Sequence, residues 1–185
     1  ARQERVDSPI VPMTDSNMDA KARAAAILGG MKKAGIDLIA SLPDINCLDL
    51  IGALERDGEI IHVPLCREEE GVGICAGARL VGKKPALLMQ NAGLLNSCNG
   101  IVTTGIQLEL PLLLVVYYAG DIGDRGFARV GTATVPVLDA LGIRHYLLRD
   151  VEAIDWTFKN AWVLAEDSSR PVAVLLTKDV LGTRS

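Results

Sequence analysis

The sequence is poor in aromatic residues, which make up 4% of its 185 positions although apolar residues make up 49%. With so few large rings, a core must be built from Leu, Val, Ile and Ala. That composition suits a parallel sheet whose strands are buried on both faces by helices. At this length we expect one domain with a substantial core.

The chain also lacks clusters of basic side chains, since 19 Lys and Arg face 23 Asp and Glu, for a formal charge of −4. This argues against binding to nucleic acid or to a membrane surface. No apolar run reaches membrane-spanning length, and the polar segment 1–17 has no signal-peptide pattern. We therefore expect a cytoplasmic protein, with residues 1–17 as a loose arm and residues 18–185 as a single α/β domain.

Cysteine patterns typical of metal or redox sites are missing as well. Cys47, Cys66, Cys75 and Cys98 are widely spaced without a C-x-x-C pair, and the chain has 2 histidines. A structural zinc site is therefore not expected, and the thiols are predicted to be reduced. Neither a Walker loop nor a G-x-G-x-x-G fingerprint occurs, so nothing supports nucleotide binding.

Short apolar runs alternate with helical patterns along the chain. Strands are predicted at 37–42, 59–65, 85–89, 112–117, 144–148 and 172–176, and helices at 18–35, 48–54, 68–81, 94–109, 135–141 and 151–165. This alternation implies right-handed crossovers and a doubly wound, mostly parallel sheet between two helix layers. The strand at 112–117 is the most apolar and should lie centrally. Ligands of such folds bind at the carboxyl ends of the strands.

Three segments at the ends of predicted strands stand out: Leu42 to Asp44, Cys66 to Gly71, and Met89 to Asn96. All should open on the same edge of the sheet. Each also has a purely structural interpretation. In that interpretation the first segment is a turn. The glutamates at the helix start would then only stabilise the helix through its dipole, by a few tenths to about 1 kcal/mol each.

The helix after the glutamates is rich in small residues, with Gly71, Gly73 and Gly77 within seven positions. Glycine lowers helix propensity by up to about 1 kcal/mol relative to alanine. A helix that tolerates this cost usually needs a close approach. The neighbour could be another helix, another subunit or a flat ligand.

The ordered set of these segments resembles a known family. Arg67-Glu68-Glu69-Glu70-Gly71, the Gly82-Lys83-Lys84-Pro85 entry to a strand, and Met89-Gln90-Asn91 to Asn96 resemble the pyrimidine-binding domain of thiamine-diphosphate-dependent decarboxylases. The sulfopyruvate and phosphonopyruvate decarboxylases are the most similar, over roughly residues 38–116. The resemblance implies a three-layer α/β/α fold with a six-stranded, mostly parallel sheet.

By this resemblance, one glutamate at the helix start hydrogen-bonds N1′ of the cofactor aminopyrimidine and promotes the tautomer that removes the thiazolium C2 proton. Matching from His62, Gly77 and Lys84-Pro85 puts Glu68 at that position, whereas the local Glu-x-Gly pattern would choose Glu69. We predict that Glu68 is the activating carboxylate.

The same resemblance implies that Pro43, Asp44, Gln90, Asn91 and Asn96 line the cofactor site. Helix capping is the alternative role for Asn96 and for its neighbours Ser97 and Asn99.

The second half of such enzymes carries Gly-Asp-Gly and, later, Asn-Asn, which hold magnesium and the diphosphate. This chain has neither, and Gly120-Asp121 and Gly123-Asp124 lack the second glycine and are better explained as loop turns. The resemblance therefore implies a separate beta subunit that holds the diphosphate and Mg²⁺ of thiamine diphosphate. A hetero-oligomer with homotypic contacts is expected.

The implied activity is decarboxylation of a small anionic 2-oxoacid to an aldehyde and CO₂. Arg125 and Arg129, placed in a loop after the central strand, are predicted to hold the substrate's anionic tail, and solvated loop arginines are the alternative. Two other functions stay open, a carboligase of the same cofactor class and a non-catalytic scaffold or regulatory subunit.

Overall fold

A computed structural model describes residues 18–183, so the arm predicted at residues 1–17 lies outside the described residues. Six strands form one sheet in the order β2-β1-β3-β4-β6-β5, and every neighbouring pair is parallel. The strands are β1 Leu38–Ser41, β2 Ile61–Pro64, β3 Pro85–Gln90, β4 Leu113–Tyr117, β5 Arg144–Leu148 and β6 Val172–Leu176. The six predicted strands are confirmed, with ends that shift by up to two residues.

Helices cover both faces of the sheet. They are α1 Ala20–Lys33, α2 Leu48–Arg56, α3 Glu68–Leu80, α4 Asn91–Asn96, α5 Cys98–Gly100, a π-helix Ile101–Ile106, α6 Ala128–Ala140, α7 Ile154–Ser168 and α8 Lys178–Leu181, with 3₁₀ turns at Ile45–Cys47 and Val151–Ala153. Helices α1, α2 and α7 enclose one apolar core, and α3, α4 and α6 enclose the other. The predicted three-layer α/β/α architecture is therefore confirmed.

Strand β4 lies at the centre of the sheet, between β3 and β6. Leu113, Val115 and Tyr117 enter one core while Leu114 and Val116 enter the other, because successive side chains of a strand point to opposite faces. All five are buried. This is why the most apolar run in the sequence occupies the central position.

The single helix predicted at 94–109 is wrong, because the segment is divided into α4, α5 and the π-helix. Two glycines in this segment lie at close contacts with other parts of the chain. A Cβ at Gly100 would lie 3.1 Å from Cγ of Glu69, and one at Gly105 would lie 3.0 Å from Cγ of Pro171. The segment therefore packs closely against α3 and against the residue before β6, and its last part is a π-helix rather than an α-helix.

The prediction for α6 is also wrong at its start, which lies at Ala128 rather than at residue 135. Phe127 precedes the helix in a left-handed conformation, and no side chain caps the first turn. The usual start signal is therefore absent from the sequence. As a consequence, Arg129 belongs to the first turn of α6 and not to the loop.

Within residues 18–183, none of the helices combines the length and the apolarity needed to span a membrane.

Adjacent glycines in α1 allow a test of the packing between α1 and α7. A Cβ at Gly30 would collide with Cγ2 of Ile154 and lie 3.2 Å from Cδ2 of Phe158, whereas a Cβ at Gly29 meets nothing within 4 Å. Gly29→Ala should raise the free energy of unfolding by about 0.5–1 kcal/mol. Gly30→Ala should lower it by about 1–3 kcal/mol, because overpacking outweighs the same gain in propensity. Equilibrium urea unfolding measures both, and equal stabilisation by the two substitutions would contradict the close approach.

Candidate functional site

The carboxyl ends of β1, β2 and β3 bring the three predicted polar segments to one edge of the sheet. These strands end at Ser41, Pro64 and Gln90, and β1 pairs in parallel with both of the others. A crevice outside the carboxyl ends is where open α/β sheets bind ligands. We call the group Asp44, Glu68 and Gln90 the carboxyl-edge site.

Glu68 is the first residue of α3 and lies against α4. A Cβ at Gly93 would stand 2.5 Å from Cδ of Glu68, so the glycine at this position leaves the space that the glutamate side chain occupies. Glu68 is partly buried, while Glu69 and Glu70 are exposed. Glu68 is thus the glutamate of the three whose carboxyl group is seated inside the fold.

Glu69 and Glu70 point elsewhere. The Oε2 atom of Glu70 accepts hydrogen bonds from the backbone N–H groups of Arg67 at 3.2 Å and Cys66 at 3.3 Å, which stabilises the helix start. The side chain of Glu69 lies beside Gly100. The interpretation as a helix start therefore holds for Glu70, and Glu68 is left as the candidate for chemistry.

The structure pairs Asp44 with Gln90, two residues that the resemblance assigned to the site. Nε2 of Gln90 donates to Oδ2 of Asp44 at 2.6 Å. The turn interpretation holds as well, because Oδ1 of Asp44 accepts from the backbone N–H of Asn46 at 2.8 Å and begins the 3₁₀ turn. Pro43 is exposed beside them. One carboxylate thus links the loop after β1 to the end of β3.

Asn91 is completely buried at the start of α4. Its Nδ2 donates to the carbonyl oxygen of Ala119 at 2.8 Å and to Oγ1 of Thr134 at 3.0 Å. The side chain therefore ties α4 to the segment after β4 and to α6. Its Oδ1 atom has no hydrogen-bond partner among the described residues.

Asn96 is exposed at the last position of α4. Within the described chain no side chain caps α4 or α5, although Ser97 stands at the boundary between them. Ser97 thus occupies the cap position without a capping hydrogen bond from its side chain, and Asn96 and Asn99 lie inside α4 and α5, so the predicted capping by these side chains is not found among the described residues.

Sequence reasoning missed a second group at the carboxyl end of β4. Oη of Tyr117 donates to Oδ2 of Asp124 at 3.4 Å, and Nζ of Lys178 lies 2.8 Å from Oδ1 of the same carboxylate. Burial, with the negative charges of Asp124 and Asp44, raises the pKa of Tyr117, so the phenol stays a neutral donor. A polar residue at the end of an apolar strand was the available signal.

The Gly-Asp pairs of this loop are turns, as predicted. Gly120 and Gly123 have positive φ angles, and the N–H of Asp124 donates to the carbonyl oxygen of Asp121 at 3.0 Å. Glycine supplies these conformations without steric cost.

Arg125 is exposed in the loop, and Arg129 is exposed in the first turn of α6. No hydrogen bond or ion pair to either guanidinium is found among residues 18–183. The first turn of α6 contains no acidic residue. One unpaired positive charge therefore lies in the loop after the central strand and a second lies at the start of the helix that follows it.

All four cysteines are free. Burial raises the pKa of Cys75 to about 12 and also raises the pKa of Cys47, so these two thiols stay protonated. The described residues contain no group of three or more His, Cys, Asp or Glu placed to hold a metal ion.

The parallel six-stranded sheet between two helix layers has the fold of the pyrimidine-binding domain of the thiamine-diphosphate enzymes. Sequence comparison agrees. The sulfopyruvate decarboxylase alpha subunit of Methanococcus maripaludis is 34% identical over 153 residues, which cover 82% of this chain and 92% of that protein. The corresponding subunit of Methanocaldococcus jannaschii is 38% identical over 152 residues, 81% of this chain and 90% of that protein. The chain belongs to the family of sulfopyruvate decarboxylase alpha subunits.

A solved structure shares the fold. The 2-oxoglutarate:ferredoxin oxidoreductase from Magnetococcus marinus superposes with a TM-score of 0.67 at 17% identity, over 89% of this chain and 29% of that chain. No established protein-family profile matches the chain. The resemblance predicted from the sequence is thereby confirmed.

Proposed function

We propose that this chain is the alpha subunit of a thiamine-diphosphate-dependent 2-oxoacid decarboxylase, which converts a small anionic 2-oxoacid to an aldehyde and CO₂. A separate beta subunit would hold the diphosphate and Mg²⁺. The observation that carries the proposal is the carboxyl group of Glu68, seated against Gly93 at the edge where Asp44 and Gln90 meet. Membership of the alpha-subunit family supports it.

The residues of the carboxyl-edge site fit an aminopyrimidine. A partly buried carboxyl group can exchange a proton with a ring nitrogen, and Pro43, Asp44, Gln90 and Asn96 supply further surface and polar groups at the same edge. Asn91 would contribute by holding α4 in place, because its amide nitrogen is already engaged. When bound, thiamine diphosphate supplies the electron sink for loss of CO₂.

Exposed apolar side chains at the same edge support a partner subunit there. Ile45 and Leu48 follow β1 and are 78% and 58% exposed, while Ile122 and Phe127 follow β4 and are 88% and 57% exposed. Large apolar groups clustered around a polar site are typical of a surface that another chain covers.

The small-residue face of α3 supports homotypic contacts. Gly71 packs on the sheet, where a Cβ would collide with Cδ1 of Leu87, but Cβ atoms at Gly73 and Gly77 would meet nothing within 4 Å. Leu80 and Val81 are exposed next to this face. A second subunit could approach the helix backbone closely there.

Arg125 and Arg129 would hold the anionic end of the substrate. Their guanidinium groups are unpaired in the described chain, and an uncapped helix start adds N–H donors and a positive dipole end. Charge-assisted contacts of this kind favour sulfonate, phosphonate or carboxylate groups.

Reconstitution tests the proposed function. The purified chain with thiamine diphosphate and Mg²⁺ should be inactive, and addition of the beta subunit should restore release of CO₂ and aldehyde from sulfopyruvate or phosphonopyruvate. Decarboxylation by the single chain would refute the two-subunit arrangement. An inactive pair would favour a scaffold role, and a joined product formed with an added aldehyde would identify a carboligase.

A further inference from the structure

The loop between β4 and α6 is built from residues that favour mobility but is held at defined points. Gly120, Gly123 and Gly126 all have positive φ angles, as does Phe127. A Cβ at Gly131 would stand 2.5 Å from the carbonyl oxygen of Gly120, so the two ends of the loop are pressed together. Because glycine adopts many backbone conformations, specific contacts are needed to hold such a loop in one of them.

Asp124 is the residue that fixes the loop from within. Its side chain is 7% exposed. Oδ2 accepts the N–H of Gly120 at 2.8 Å and the hydroxyl of Tyr117 at 3.4 Å, and Oδ1 lies 2.8 Å from Nζ of Lys178. One carboxylate thus connects the middle of the loop to the loop's own start, to the central strand and to α8.

A second ion pair fastens the beginning of the loop. The guanidinium of Arg149 lies 2.8 Å from Oδ2 of Asp121 and 3.3 Å from Oδ2 of Asp179. Both aspartates of the loop are therefore matched by cations from the ends of β5 and β6. The arginines of this region, Arg125 and Arg129, stay uncompensated and exposed.

Arg125 follows Asp124 directly in the chain. Because neighbouring Cα atoms are about 3.8 Å apart, fixing the carboxylate of Asp124 restricts where Arg125 can stand. We propose that Asp124, held by Lys178 and Tyr117, is a positioning residue that presents Arg125 to the anionic tail of the 2-oxoacid. This inference rests on the proposed decarboxylase function and names the element that sets its preference for anionic substrates.

Because Asp124 and Lys178 carry opposite charges, substituting each in turn separates positioning of Arg125 from a direct effect of local charge on substrate binding. Asp124→Asn makes the loop more positive, and Lys178→Met makes it more negative. If only the local charge mattered, the two substitutions would change KM for an anionic substrate in opposite directions. If the ion pair positions Arg125, both should raise KM.

The experiment uses the two-chain enzyme with thiamine diphosphate and Mg²⁺. Asp124→Asn and Lys178→Met should each raise KM for sulfopyruvate roughly tenfold, with kcat at saturation within about twofold. KM for pyruvate, which has no anionic tail, should change less than about twofold. Asp155→Asn, which removes an exposed carboxylate paired with Lys33 on the far helix layer, is the matched control and should change neither KM.

A double-mutant cycle completes the test. In an Arg125→Gln background, where KM for sulfopyruvate is already raised, Asp124→Asn should add no further increase, because its effect passes through Arg125. A multiplicative increase, an equal effect on pyruvate, or opposite effects of Asp124→Asn and Lys178→Met would each overturn the inference. If one variant fails to fold in a thermal melt, the cycle is run with the other. An inactive wild-type complex would instead refute the proposed function itself.

Discussion

Replacing Glu68 with glutamine is expected to slow exchange of the cofactor's C2 proton by roughly 10²-fold or more, the usual scale of general acid–base catalysis. Glutamine keeps the size of the side chain and can still hydrogen-bond N1′, but it cannot exchange a proton with it. The space beside Gly93 that holds the glutamate side chain should also hold glutamine, so the protein should still fold. Hydrogen–deuterium exchange at C2 of thiamine diphosphate bound to the two-chain enzyme measures the effect.

The neighbouring glutamates supply the controls for this experiment. Glu69→Gln and Glu70→Gln alter exposed side chains, so stability should change by no more than about 1 kcal/mol and C2 exchange should stay nearly intact. If Glu69→Gln stops exchange while Glu68→Gln does not, the activating position is displaced by one residue. If none of the three slows exchange, the assigned cofactor chemistry is wrong.

Gly93→Ala is expected to cause the second large loss, through Glu68. The added methyl group would stand 2.5 Å from Cδ of Glu68, so the carboxyl group must move. Displacing a catalytic group by about 1 Å can cost on the order of 10²-fold in rate. The free energy of unfolding should change little, because the helix propensity of alanine, better by about 1 kcal/mol, offsets the rearrangement of a single side chain. C2 exchange and urea unfolding of the same variant separate the two quantities.

Gly29→Ala provides the matched control for that substitution, because it adds the same methyl group to a helix where nothing lies within 4 Å. It should leave C2 exchange unchanged. In a Glu68→Gln background, Gly93→Ala should cause little additional loss if the methyl group acts only through the glutamate. Normal exchange in Gly93→Ala, or independent losses in the double variant, would show that the contact does not control the carboxyl group.

The strands could be predicted from the sequence because parallel strands buried on both faces appear as short apolar runs. Leu113 to Tyr117, buried on each side, is the clearest case. The helix type of the segment after α4 could not be predicted. Its apolar residues have helical periodicity, but Gly100 and Gly105 pack against Glu69 and Pro171. A pattern of apolar residues does not distinguish an α-helix from a π-helix, and it does not register these close contacts. The start of α6 was missed because Phe127 is not a residue that signals a helix start.

The choice among the three glutamates shows the same division. The family resemblance favoured Glu68, and the spacing of residues alone left Glu69 open. Successive residues of an α-helix are rotated by about 100°, so three adjacent side chains face three directions. In the folded chain the side chain of Glu68 lies against Gly93 and that of Glu69 lies beside Gly100. The side chain of Glu70 turns back to the N–H groups of Cys66 and Arg67, just before the helix.

The sequence by itself determined the order of strands and helices, the parallel sheet and the polar segments at its carboxyl edge, because these follow from local periodicity and from the handedness of crossovers. Only the tertiary structure decided which polar groups meet. The Gln90–Asp44 hydrogen bond joins residues 46 positions apart, and the Asp124–Lys178 ion pair joins the loop after β4 to the start of α8. Such pairs form because parallel strands bring their carboxyl ends together in space, and no pattern of neighbouring residues encodes which side chains then come within hydrogen-bonding distance.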